Sequence, residues 1–221
     1  MGRIKKMSKK IASLVLLTFL ISACSLYRLE RKLPDDIKAW YKIHVFLMES
    51  KVPIWLDARF DKEISERRHF LTLSEDWQRA YMKYFWRIRT EGLKWAFEER
   101  MAAANQAFRE GRPGWQTDRG KIFIKFGVPQ FAQSYMERSG YADRDIDGYA
   151  VLVWGYYFGS NIVQYVFRFV SPNSWRADFS NRLATMGAQM EHHRWFVETW
   201  GPTQEGWETW GSYLYSQQRK E

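Results

Sequence analysis

The chain has 221 residues, with 34 Lys+Arg against 25 Asp+Glu, a formal net charge of +9 and a single cysteine. One cysteine excludes an intramolecular disulfide, so stability has to come from packing, for which 12 Trp, 12 Tyr and 15 Phe supply the rings. Five basic residues (Arg3, Lys5, Lys6, Lys9 and Lys10) stand before an apolar run from Ile11 to Ile21; without them the balance is 29 basic against 25 acidic residues, which argues against a nucleic-acid partner.

That basic start, the apolar run and the closing Ile21-Ser22-Ala23-Cys24 have the layout of a bacterial lipoprotein signal peptide. The run is short of the roughly 20 residues that a helix needs to cross a bilayer, so a permanent transmembrane anchor is the weaker reading. Small side chains at Ser22 and Ala23 suit a peptidase groove, and the Cys24 thiol is the nucleophile that takes the lipid. The expectation is removal of residues 1–23, acylation of Cys24 by chains such as palmitate, and a polar tether over 24–34. Ser25 resembles an outer-membrane sorting choice, which places the protein in the cell envelope, anchored in the outer membrane and facing the periplasm.

After Pro34, Asp35 and Asp36 favour a helix start, and Ile37, Trp40, Tyr41, His44, Val45 and Met48 recur at helical spacing, which predicts a helix over about 36–49. His44 is expected as a packed residue rather than a metal ligand. Alternating Val52, Ile54 and Leu56 suggest a short extended piece. Cap chemistry at Thr72-Leu73-Ser74-Glu75 opens a helix to Arg89, and a second follows over about 92–110 until Gly111 and Pro113 stop it. The two are expected to form a helical hairpin with an aromatic seam.

Periodicity then changes to two. Ile122, Ile124 and Phe126 alternate with Lys121, Phe123 and Lys125, which predicts a strand, and residues 150–158 and 162–170 predict a β-hairpin around Gly159-Ser160-Asn161. The tail from Asn181 returns to helical spacing and becomes rich in Trp. The fold class is therefore α+β: a helical hairpin packed on a small antiparallel β-sheet, preceded by a signal helix and followed by a helical, Trp-rich tail. The corresponding segments are 1–23, 24–34, a domain over 35–180, and the tail 181–221.

Between the second helix and the predicted strand stands Gly114-Trp115-Gln116-Thr117-Asp118-Arg119-Gly120. Flanked by Phe70-Leu71-Thr72, Phe85-Trp86-Arg87, Ala104-Asn105, Gly127-Val128-Pro129 and Trp154-Gly155-Tyr156, it resembles the signature of the GWxTD domain family of bacterial envelope proteins over about residues 65–170. The resemblance implies an address and an architecture but no reaction. On the residues alone, Gly114 and Gly120 are expected to free the backbone torsions, Thr117 and Asp118 to fix a turn, Trp115 to plug helix against sheet, and Arg119 to pair with a carboxylate. The functional alternative makes Trp115, Thr117, Asp118 and Arg119 a polar notch for a peptide or carboxylate.

Two other stretches carry chemistry. Asp143, Asp145 and Asp147, followed by Gly148, match the opening of a calcium loop, but Trp154 stands where an EF-hand places its bidentate Glu, so a solvated turn is the plainer reading and no cofactor is expected. Glu198-Thr199-Trp200-Gly201 and Glu208-Thr209-Trp210-Gly211 surround Trp207, which makes Trp200, Trp207 and Trp210 candidates for a partner surface, or for rings folded back onto the core. Adjacent His192 and His193 point about 100° apart on a helix and do not share a metal. No Gly-x-Ser-x-Gly, phosphate loop or zinc-spaced His/Cys set is present in the sequence.

These readings predict a non-catalytic, lipid-anchored envelope protein that binds or assembles with another envelope protein. The alternatives are an enzyme or ligand-binding protein acting on a peptide, glycan or small metabolite near Asp118 and Arg119, and, third, a calcium-dependent adhesion module.

Overall fold

The computed structural model describes residues 26–53, 56, 63–137, 149–158, 161–171, 174–177 and 186–219. They divide into two compact units, Met1–Ile88 with Pro202–Glu221, and Arg89–Gly201. The fold is mixed, with helices in both units, a two-stranded antiparallel pair in the first and a four-stranded antiparallel sheet in the second.

In the first unit, residues 26–31, within the stretch expected as a tether, are helical. Glu30 there is held by Arg67 and accepts from the Tyr41 hydroxyl at 2.6 Å, while Arg67 Nε donates to Tyr41 Oη at 2.8 Å. Helix α1 (Asp35–His44) begins after Pro34 with Asp35 and Asp36 in its first turn, where they suit the helix dipole, and buries Ile37, Tyr41 and His44. His44 is a packed residue, as its spacing predicts: its ring stacks on Trp40 at 4.3 Å and Nδ1 lies 2.8 Å from Trp40 O. The predicted helix tightens to a 3-10 turn at Val45–Leu47.

Strands β1 (Lys51–Val52) and β2 (Ile64–Ser65) pair antiparallel, and Ser65 caps α2 (Glu66–Thr72) by accepting from Arg68 N at 3.2 Å. Helix α3 (Glu75–Tyr84) follows. Its Tyr81 donates to the fully buried Glu66 at 2.7 Å.

In the second unit, α4 (Leu93–Ala107) leads through a 3-10 turn at Gly114–Gln116 into α5 (Asp118–Phe126). The sheet is a meander of β3 (Phe131–Glu137), β4 (Tyr149–Phe158), β5 (Asn161–Ser171) and β6 (Ser174–Ala177), each strand antiparallel to the next. The β4–β5 pair is the hairpin that the sequence predicts. Helix α6 (Met186–Trp200) packs on β4 and β5, and α5 on β6. Gly155 leaves room for the Phe131 ring across the β3–β4 register; a Cβ there would lie 1.8 Å from Phe131 Cε1.

One expectation is corrected. The alternating run at 121–126 is a helix, because Thr117 caps it, Asp118 occupies its first turn, and Gly127, at φ 78°, ends it. The helix buries Gly120 and Ile124 on one face and Phe126 on another, and a run this short does not separate period 2 from period 3.6. Helix α3 packs with α1 and α2 in the first unit, whereas α4 packs with the 3-10 turn and α5 in the second.

The tail supplies α7 (Gln204–Gln218), capped by Thr203, whose hydroxyl accepts from Gly206 N at 2.9 Å. It completes the first unit. Trp210 meets Tyr81 edge-on at 5.1 Å, and its indole N–H donates to His69 Nε2 at 3.2 Å. Because an indole can only donate, that ring nitrogen of His69 carries its lone pair. At the start of α7, Thr203 N donates to Ile88 O at 2.9 Å, and a Cβ on Gly206 would lie 2.0 Å from that same oxygen.

Candidate functional site

The signature residues form a knot between the end of α4 and the first turn of α5. Gly114 sits against α4 so closely that a Cβ would be 1.8 Å from Ala104 O. Asn105 Oδ1 accepts from Trp115 N at 3.3 Å and fixes the same approach from the side chain. Thr117 is fully buried, donating to Gly114 O at 2.8 Å and accepting from Gly120 N at 3.0 Å. A Cβ on Gly120 would lie 1.9 Å from Gly114 O. Neither Gly114 nor Gly120 has positive φ, so the expectation that they serve unusual torsions is corrected: both are needed because backbone meets backbone there. Trp115 is half-buried.

Asp118 and Arg119 reach the sheet. Asp118 Oδ2 accepts from Ala177 N at 3.0 Å. Arg119 donates from Nε to Glu110 Oε1 at 3.0 Å, with Nη2 at 2.9 Å from the same oxygen. Glu110 Oε2 accepts from Trp175 N at 3.0 Å. The guanidinium also stands 5.3 Å from the Phe108 ring centre and 5.1 Å from that of Trp175, a distance at which cation and ring attract. Two carboxylates therefore take the N–H groups of alternate residues on β6, while Arg119 neutralises one of them. The Glu110 side chain is 2 % exposed and that of Arg119 17 %, so the pair is desolvated and each partner is costly to leave alone.

The far end of α5 is closed with equal care. Arg100 Nη1 donates to Ile124 O at 3.1 Å and to Lys125 O at 3.2 Å, and Trp200 Nε1 donates to Lys125 O at 3.0 Å, which satisfies carbonyls that a helix end leaves open. Burial lowers the Arg100 pKa from its ordinary value, with Tyr156 and Glu99 opposing. Tyr156 donates to Gly127 O at 3.0 Å, and burial raises its phenol well above the usual range. Arg89 Nε donates to Trp200 O at 2.8 Å at the end of α6.

The structure brings Trp115, Thr117, Asp118 and Arg119 together around one turn. It does not bring the tail tryptophans together on a surface, and that expectation is corrected: Trp200 is 1 %, Trp207 4 % and Trp210 0 % exposed, the first a core residue of the second unit and the other two of the first. Their amphipathic rings are used inwardly, with the indole N–H groups of Trp200 and Trp210 bonded inside the protein. Cys24, Asp143, Asp145 and Asp147 lie outside the described residues. Among the described residues no group of three or more His, Cys, Asp or Glu is placed to hold a metal ion, and no helix is long and apolar enough to cross a membrane. Glu110 and Arg100 are the residues that sequence reasoning misses. Each is one charged side chain among many, and the backbone groups they bond lie 65 residues on for Glu110 and 24 and 25 residues on for Arg100.

The model of the GWxTD domain matches residues 74–202, from the cap of α3 through the whole of the second unit. No curated protein and no solved structure was found to match the chain.

Proposed function

The chain belongs to the GWxTD domain family, and from that premise we propose that it is a lipid-anchored protein of the cell envelope, held in the outer membrane through Cys24 and facing the periplasm, with a non-catalytic binding or assembly role toward another envelope protein. The observation that carries the anchor is Ile21-Ser22-Ala23-Cys24 at the close of a basic-then-apolar leader. Several acyl chains on one residue give far firmer attachment than a single chain. The clamp of Glu30 by Arg67 and Tyr41 supports the same reading, because it makes the folded body begin within a few residues of the lipid.

The signature itself supports a binding or assembly role over a reaction at the motif. Thr117, Asp118 and Arg119 spend their bonds on the chain's own backbone and on Glu110, as a device that locks a helix to a sheet does. Recognition of a partner then falls to the surface that this scaffold displays.

The test is metabolic labelling with an alkyne fatty acid, followed by intact-mass measurement of the protein from membranes. The expected product begins at Cys24, carries acyl groups and loses both label and membrane association in Cys24→Ser. A protein that retains residues 1–23, or shows a free thiol and no label, overturns the anchor.

A further inference from the structure

The described residues nearest Cys24 sort their charges by side. Residues 26–31 are helical, and over 28–32 the chain reads Arg-Leu-Glu-Arg-Lys. Arg28, Arg31 and Lys32 are exposed, whereas the one acid among them, Glu30, is drawn into the first unit by Arg67 and by the Tyr41 hydroxyl at 2.6 Å. Tyr27 is 61 % exposed and stands with the cations, its ring centre 5.9 Å from Arg31 Cζ. On a helix, positions 27, 28 and 31 share an arc of about 100°. Leu26 and Leu29 are half-buried and Leu33 is buried, so the apolar side chains turn the other way. Beyond Pro34 the acids are Asp35, exposed, and Asp36, paired with Arg79. With Glu30 neutralised inside, the outer side carries three cations and one amphipathic ring.

What lies opposite this patch follows from the length of chain that joins it to the anchor. From Cys24 to Tyr27 is three residues, a reach of at most about 11 Å even when fully extended. On an acylated chain the patch therefore stays within a distance on the order of a Debye length from the headgroups. An anionic surface attracts Lys and Arg at that distance, and Tyr suits the boundary between headgroups and acyl chains. We infer that Tyr27, Arg28, Arg31 and Lys32 seat the first unit on anionic phospholipid headgroups, so that the acyl chains hold the protein and this face sets how the first unit stands on the membrane. The proposal rests on the acylation of Cys24 and adds a second, electrostatic contact to it.

The test is lysine footprinting of the intact acylated protein, added to preformed vesicles of phosphatidylcholine alone or of phosphatidylcholine with phosphatidylglycerol. A neutral acetylating reagent is used, and Lys121, exposed on α5, is the internal reference. Relative to Lys121, Lys32 is expected to react at least about threefold more slowly on the phosphatidylglycerol vesicles. That protection is expected to vanish in high salt and in Arg28→Gln combined with Arg31→Gln, with unchanged circular dichroism. Equal reactivity of Lys32 on the two kinds of vesicle, or protection that survives salt or the paired substitution, overturns the proposal. Intact mass of the same preparation reports the acyl groups, so the two readings fail separately. A mass without them overturns the anchor and this contact together, while an acylated chain with an unprotected Lys32 overturns the contact alone.

Discussion

Asp118 Oδ2 lies 3.0 Å from the backbone nitrogen of Ala177, so a carboxylate in the first turn of α5 closes an N–H on an edge strand 59 residues further along the chain. The acidic residue of the signature thus acts at two places, at the positive end of a helix and on the margin of a sheet. Asp118→Ala leaves that N–H without its acceptor and is expected to cost about 1–3 kcal/mol, whereas Asp118→Asn keeps an acceptor and costs less. Urea denaturation gives the order, and faster hydrogen exchange at Ala177 in Asp118→Ala identifies the cause. Equal stability of the two variants contradicts the assignment.

The Glu110–Arg119 pair makes a sharper prediction, because both groups are largely out of water. Glu110→Ala strands the guanidinium and is expected to cost about 3–5 kcal/mol, while Glu110→Leu combined with Arg119→Leu recovers a large part of the loss. A double-mutant cycle measures this. Simple additivity of the two single losses would show that the pair is not coupled.

Two glycines near the motif separate two physical reasons for glycine. Gly111 has φ 68° and open space around its Cα, so Gly111→Ala is expected to cost about 1–2 kcal/mol for the left-handed torsion alone. Gly114→Ala drives a methyl into Ala104 O and forces α4 from the 3-10 turn, at a cost above that of Gly111→Ala. Thermal unfolding of the two variants ranks them, and the reverse order would show that the close approach is soft.

Tyr156 makes the protein sensitive to alkali. Burial raises its phenol above the value of 10.0 that it has in the unfolded chain, so folding holds the proton on. That contribution is fully present below pH 10, and it declines as pH rises through 10 toward the folded value, since only the unfolded chain ionises freely there. Tyr156→Phe is expected to lose about 0.5–1.5 kcal/mol at neutral pH with the bond to Gly127 O, and to flatten the fall in stability above pH 10. Unfolding curves at pH 8 and at pH 10.5 test both, and a wild-type curve no steeper than that of Tyr156→Phe refutes the argument.

Trp210→Ala is expected to behave as a core deletion, costing about 3–5 kcal/mol, with the loss spread over the first unit. Hydrogen exchange in α2 and α3 reports it. Native exchange in those helices would return Trp210 to the role of a surface anchor.

The sequence reveals most where chemistry is local. Pro34 with Asp35 and Asp36 and the β4–β5 hairpin both follow from neighbouring residues. The strand expected at 121–126 fails for a local reason too: both helix boundaries, Thr117 and Gly127, stand in plain view, and a six-residue alternation outweighs them only if capping is ignored. What stays hidden is long-range. Glu110 bonds to Trp175 across 65 residues and Trp210 to His69 across 141, and no spacing rule joins them. The inward role of the tail tryptophans was open for the same reason, since an amphipathic ring suits a core and a surface equally.

The bond from Thr203 N to Ile88 O makes residues 89–201 a loop, grown large, in the backbone of the first unit. Synthesis proceeds from one end only, and the ribosome finishes that loop before it supplies α7. A nascent chain that has just passed Gly201 therefore holds every residue of the second unit while the seat of Trp210 beside His69 and Tyr81 is still empty. Maturation of the first unit waits for α7, and a message truncated before it yields a chain that holds all of the second unit and lacks the Trp210 side chain that the first unit buries.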